Sequence, residues 1–278
     1  MSHHVAARLA LGAPLAAAAG YWATMSPYSQ LCGAFPFRSG ASEGRPARTV
    51  ALTFDDGPHE PFTSQIAGFL DERGIKATFF QVGRCVERHP DTTRRLFASG
   101  HVIGNHSYAH QFSRCWSEGA MADELRLSQS VFHDTLGLAP ALYRPPWLAR
   151  TPATLRVLHQ AGLHPISGEF CHALEPLQPS SRRIARRTLA KVRPGSIVIF
   201  HDGYDARGAD RSSTVEAVKI VVDTLLGDGF SFSTVDDLLG IPAYPPLRRR
   251  GPRTTGARSL MRLSPRAAPA PLPARTPR

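Results

Sequence analysis

From Thr49 onward the chain alternates between two patterns of apolar positions. The first is a set of short runs rich in β-branched and aromatic residues: TVALTF (49–54), ATFFQVG (77–83), HVIG (101–104), ALYR (141–144), SIVIF (196–200) and FSFSTV (230–235). The second has helical spacing. Residues 63–73 place Ile66, Phe69 and Leu70 on one face, 121–136 place Leu125, Phe132 and Leu136, and 214–226 place Val218, Val221, Val222 and Leu225. Short strands alternating with helices of this length predict parallel βαβ units. About six strands in some two hundred residues fit an α/β, barrel-like (β/α) architecture better than a helical bundle or a β-sandwich.

Polar residues gather at one end of these strands. Asp55 and Asp56 follow the first run, His106 and His110 the third, Arg144 closes ALYR, and His201 follows SIVIF. In a parallel barrel the carboxyl ends of the strands share one face, so these residues are expected to be neighbours. Adjacent strand residues point to opposite sides, which allows Asp55 and Asp56 different partners, and Gly57-Pro58 favours a turn beyond them. A single Asp at such a junction is more often a helix cap than a ligand, but a pair shifts the balance toward chemistry. His106 and His110, spaced i, i+4, would project to one side of a helical turn and could share a metal with a carboxylate. Alone, that spacing carries little weight in a chain with 12 histidines, of which His89 and His101 read as surface or core positions. His201 alone is as readily a core histidine, and Arg144 alone a surface arginine, although RPPW is a stiff segment that would fix its direction. No GxSxG sequence supports a serine nucleophile.

Charge changes this picture little. The net charge is +11, but nine arginines and no acidic residue lie between Leu247 and Arg278, so the rest of the chain carries about +2. A basic, Pro-rich tail without interleaved aromatics reads as a solvated extension, with contact to an anionic surface as its alternative and no specific nucleic acid as partner. The four cysteines, Cys32, Cys85, Cys115 and Cys171, form no CxxC pair, which leaves zinc-ribbon and thioredoxin-like readings unsupported. Near the N-terminus, Arg8 precedes an apolar run from Leu9 to Ala19 that resembles a signal peptide. Its alternatives are a short membrane anchor continuing through Tyr21 and Trp22, or an Ala-rich surface helix. The expected organisation is a leader or anchor over 1–30, a linker over 31–48, a catalytic domain over 49–240 and the basic tail over 245–278. The expected location is extracytoplasmic or membrane-anchored, with the cytoplasm as the alternative.

TFDDGP (53–58), NHSYAH (105–110), RPPW (144–147) and IVIFHD (197–202) resemble, in order, the motifs of the polysaccharide deacetylase family, also called the NodB-homology or carbohydrate esterase family 4 domain. The resemblance spans residues 49–239. It implies a distorted (β/α) barrel and a divalent metal, usually zinc, used to remove acetyl groups from chitin, peptidoglycan, xylan or related glycans. By position it implies Asp55 as catalytic base, Asp56, His106 and His110 as metal ligands, and Arg144 as the residue orienting the base. It further implies His201 as general acid, the backbone at Trp147 as an oxyanion donor, and Ile199 lining the acetate pocket. Two departures stand out. Leu148 follows Trp147 where the family usually continues into Gly, and no Asp or Trp of the fourth motif lies between Ala161 and Ser196. Glu169 and Glu175 are the candidate replacements for that acid. The expected substrate is an acetylated glycan, most simply an N-acetylated polymer. The alternatives are a small or lipid-linked substrate, and a weakly active, glycan-binding wall protein.

Overall fold

The apolar runs form the strands of one parallel sheet. The computed structural model describes residues 17–40, 48–204 and 209–245. Helix α1 is described over 17–25. It is followed by β1 (Thr49–Asp55), α2 (Phe62–Asp71), β2 (Thr78–Gln81), α3 (Gly83–Arg88), α4 (Pro90–Ala98) and β3 (Val102–Asn105). Next come α5 (Glu118–Leu136), β4 (Leu142–Tyr143), α6 (Pro152–Gln160), β5 (His164–Pro165) and β6 (Glu169–Phe170). The order closes with α7 (Ser181–Lys191), β7 (Ile197–His201), α8 (Ser212–Gly227), β8 (Ser231–Ser233) and α9 (Val235–Leu239). The sheet order is β5-β4-β3-β2-β1-β7-β6, with β8 pairing the first half of β1. This curled, parallel half-barrel is the expected (β/α) architecture. It holds eight strands among the described residues rather than about six, because β5 and β6 are two-residue pairings too short to leave a pattern.

β1 is buried along its whole length, as a parallel strand covered on both faces must be. Phe54 stacks on Phe79 and Phe200 from the flanking strands, with centroids 4.9 and 5.9 Å apart. The register then decides the site. Asp55 pairs with His201 across β1 and β7, and Asn105 of β3 pairs with Tyr143 of β4, so the polar strand ends face one another. Helix α5 begins three residues before its apolar pattern because Ser117 accepts from the Ala120 N–H, and it ends at Gly137 with φ 75°.

The described part of the expected linker does not behave as a free connector. Ser39 N–H donates to the Gly195 carbonyl, Ser167 N–H donates to the Pro36 carbonyl, and Phe35 is fully buried. The buried Arg150 clamps the segment further upstream: its guanidinium donates to the carbonyls of Ser26 and Ser29 at 2.8 and 2.6 Å and stacks on Phe35. These acceptors are peptide carbonyls whose lone pairs would otherwise be buried. Arg150→Met should therefore destabilise the fold by about 3 kcal/mol and expose residues 22–40 to protease; an unchanged denaturation midpoint would remove this role. No helix of the described residues is long and apolar enough to cross a membrane. Residues 1–16 of the expected leader, 41–47 of the linker and 246–278 of the basic tail lie outside the described residues.

Candidate active site

Asp55 is the last residue of β1, and its Oδ1 accepts from Arg144 Nη1 at 2.7 Å. Arg144 is fully buried beneath it, not in the cavity. Its guanidinium also donates to Thr53 Oγ1 at 2.7 Å and to the Ser167 carbonyl at 2.8 Å, and it lies 4.1 Å over the Phe80 ring. Burial lowers the Arg144 pKa and the Asp55 charge opposes that shift. Gly104 makes this support possible, because a Cβ there would come within 2.4 Å of Phe80.

The next residue leaves the strand. Asp56 has φ 75°, which turns its carboxylate away from Arg144 toward two histidines. Its Oδ1 lies 3.3 Å from His106 Nε2 and 3.1 Å from His110 Nε2. Burial would raise the Asp56 pKa, but His110, His106 and His201 hold it well below the usual carboxylate range. The different directions expected for the two carboxylates are thus present, and each has a different partner.

The helical turn expected for His106 and His110 is absent. Residues 106–111 form a loop, with Ser107 at φ 68° and His110 at φ 51°. Local hydrogen bonds replace the helical ladder: Asn105 Oδ1 accepts from the Ser107 N–H, and Ser107 Oγ from the His110 N–H. Glu124 of α5 accepts from the N–H groups of Tyr108 and Ala109 at 3.0 and 2.8 Å. The imidazoles still converge, with ring centroids 5.0 Å apart.

Asp56, His106 and His110 are all buried and offer ligand atoms within 4.8 Å of one another. His106 Nδ1 donates to the Arg144 carbonyl at 2.7 Å, which orients the ring with Nε2 toward Asp56. Two imidazoles and one carboxylate, with the outer nitrogen of His106 bonded to a backbone carbonyl, fit a divalent cation that prefers mixed N and O donors.

His201 ends β7, and its Nδ1 lies 2.6 Å from Glu175 Oε2. Burial lowers the His201 pKa, but Glu175, Asp56 and Asp55 outweigh it and push the value up to about 9. Glu175 itself is fully buried and also accepts from the Thr214 hydroxyl. Of the two glutamates considered for the missing acid, Glu175 is therefore the one in the site. Glu169 instead pairs with Arg38 and Ser196 at the sheet edge. Sequence spacing could not separate them, since neither sits in a recognisable motif.

A cavity of about 540 Å³ opens over Asp55, Asp56, His106, His110 and His201. Trp147 lines it, 38% exposed and with its ring centroid 4.3 Å from that of His110. Leu148 also lines it, at φ 56° beside Trp147 at φ 53°. That backbone explains why a glycine suits position 148: the left-handed region is strained for a branched side chain. Leu148 is held there by burial against Phe35 and Ile199. Ile199 is fully buried and packs in one cluster with Leu148 and Phe35. Tyr21, Trp22 and Met25, within the stretch expected as a leader or anchor, also line the cavity.

Known proteins resemble this chain in sequence and fold. The family model described as polysaccharide deacetylase matches residues 42–166. A peptidoglycan-N-acetylglucosamine deacetylase of Bacillus cereus is 30% identical over 193 residues, covering 69% of this chain and 88% of the relative. A chitooligosaccharide deacetylase of Azorhizobium caulinodans is also 30% identical, covering 66% of this chain and 90% of the relative. The chitin deacetylase of the fungal pathogen Colletotrichum lindemuthianum superposes with a TM-score of 0.65 at 28% identity, over 75% of this chain and 92% of that one. The parallel half-barrel, the strand-end cluster and these likenesses agree: the chain belongs to the polysaccharide deacetylase family.

Proposed function

We propose that the protein removes N-acetyl groups from a glycan containing N-acetylglucosamine, by hydrolysis that depends on a divalent metal, zinc being the best fit to the donor set. The observation that carries this reading is the separation of the two carboxylates: Asp55 is paired with a buried arginine, and Asp56 faces two histidines. Asp56, His106 and His110 would hold the cation. When bound, such an ion polarises the acetyl carbonyl and lowers the pKa of the attacking water. Asp55 accepts the proton of that water, and Arg144 holds the carboxylate oxygen in place at 2.7 Å. The Trp147 N–H supports the oxygen on which negative charge develops. His201 donates its proton to the nitrogen as the C–N bond breaks, so that acetate and a free amine leave. Glu175 keeps that proton available. Acting on wall or chitin-like polymers would place the protein outside the cytoplasm, a reading the apolar run at 9–19 supports.

Acetate release from a panel of acetylated glycans tests this. Chelator should abolish release and added zinc should restore it. Release that survives complete removal of metal would overturn the metal-dependent reading.

A further inference from the structure

All three tryptophans of the chain stand exposed, at 51% for Trp22, 37% for Trp116 and 38% for Trp147. Core packing therefore does not account for them. Trp22 and Trp147 both line the cavity above the carboxylates, and Tyr21 beside Trp22 lines it too, although 64% exposed. Large aromatic faces left in water around a cavity that carries carboxylates and imidazoles mark surface for a ligand that is itself flat and partly apolar. A pyranose ring fits that description, since its axial C–H bonds form an apolar face and its hydroxyls form a polar rim. An acyl chain would be served as well by aliphatic walls.

The wall is fixed in place. Arg150 N–H donates to the Thr24 carbonyl at 2.9 Å, its guanidinium holds the Ser26 and Ser29 carbonyls, and the Ser167 hydroxyl donates to the Pro27 carbonyl. These bonds tie the stretch directly after Trp22 to residues 150 and 167. The segment lies outside residues 42–166, which the family model matches. The chain also has no tryptophan between Ala161 and Ser196.

We propose that Tyr21 and Trp22 of α1 form a sugar-binding wall of the catalytic cavity, stacking on pyranose rings that flank the unit being deacetylated. This proposal rests on the deacetylase reading. It makes Trp22 a determinant of substrate length, a role that no residue of the reacting cluster can fill.

Full-length protein, loaded with metal, is assayed for acetate release from tetra-N-acetylchitotetraose and from N-acetylglucosamine. Trp22→Ala should lower kcat/KM on the tetramer about tenfold, mainly through KM. The loss on the monomer should be smaller, and Trp22→Phe should recover most of the tetramer activity. Equal losses on tetramer and monomer would assign Trp22 a structural role and overturn the proposal, as would an unaltered tetramer KM. If the unsubstituted chain releases acetate from neither these sugars nor peptidoglycan, the deacetylase reading fails together with the wall. If it does release acetate and Trp22→Ala matches it, only the wall fails.

Discussion

Asp56→Ala should lose metal, whereas Asp55→Ala should keep metal and lose turnover. The two residues are adjacent, yet their surroundings differ in charge and geometry. Asp56 faces two imidazoles within 3.3 Å, so removing it takes away the anionic member of the donor set. Affinity for zinc should fall by more than about 100-fold, beyond what loss of an outer hydrogen bond to a ligand causes. Asp55 bonds to Arg144 and holds no histidine. Its removal should leave zinc content near one per chain and lower kcat by about 10³-fold, the scale of a lost general base. Stability separates the variants further. Asp55→Ala leaves a fully buried guanidinium without its counter-charge, which costs about 3–5 kcal/mol in comparable buried pairs. Asp55→Asn keeps an oxygen to accept from Arg144, so it should recover part of that stability while recovering little turnover. Zinc titration, denaturant unfolding and kinetics on the three variants check this together, and equal metal loss at both positions would contradict the division of roles.

Glu175→Gln should move the pH dependence of activity toward acid. Burial pulls the His201 pKa down, and the Glu175 carboxylate is the largest of the groups that lift it to about 9. Removing that charge lets burial dominate, so His201 would lose its proton below the usual histidine value of 6.5. At pH 8 the acid form would then be a small minority, and kcat should fall by about 10–100-fold with recovery toward lower pH. A bound dication disfavours the imidazolium, so the value of about 9 is the one expected for His201 in the metal-free protein. Stability carries the same signature. A histidine whose folded pKa is raised contributes stability that is complete below 6.5 and is lost as pH rises through about 9. Asp202 acts in another window: burial, aided by Asp56 and Asp55, pushes it up to about 7, so its contribution fades between 3.8 and about 7. A decline in metal-free stability between pH 7 and about 9 is therefore assigned to His201, and Glu175→Gln should flatten it. An unchanged acid-base profile in that variant would show that Glu175 does not set the His201 proton.

The parts of this molecule legible in the sequence are those governed by local pattern. β1, β2, β3 and β7 read directly because they are buried on both faces, and the chemistry sits at the ends of β1, β3 and β7. α7 left no pattern: in SRRIARRTLAK only Ile184, Ala185 and Thr188 are buried. The residues that converge were also legible by type, but not by geometry. His106 and His110 meet through a loop shaped by Glu124, a residue on the following helix, so their convergence does not come from the helical geometry that the i, i+4 spacing suggests. Glu175 was visible only as one of two glutamates, because its role depends on a contact with His201 across the fold. The N-terminal wall was hidden differently. Tyr21 and Trp22 extend an apolar run, and that run invites a membrane reading before a cavity is known to lie beside it.

Two buried arginines, six positions apart, bracket the RPPW turn. Arg144 and Arg150 each lie 4.1 Å over a phenylalanine ring, the first holding the Asp55 carboxylate and the second the carbonyls of residues 26 and 29. Cutting a recombinant chain at residue 42, where the family match begins, would therefore remove more than a leader. It would strip Arg150 of its upstream acceptors and of Phe35, and open to water the far end of the turn that positions the base. A chain that keeps these contacts begins upstream of Thr24, within the stretch expected as a leader or anchor.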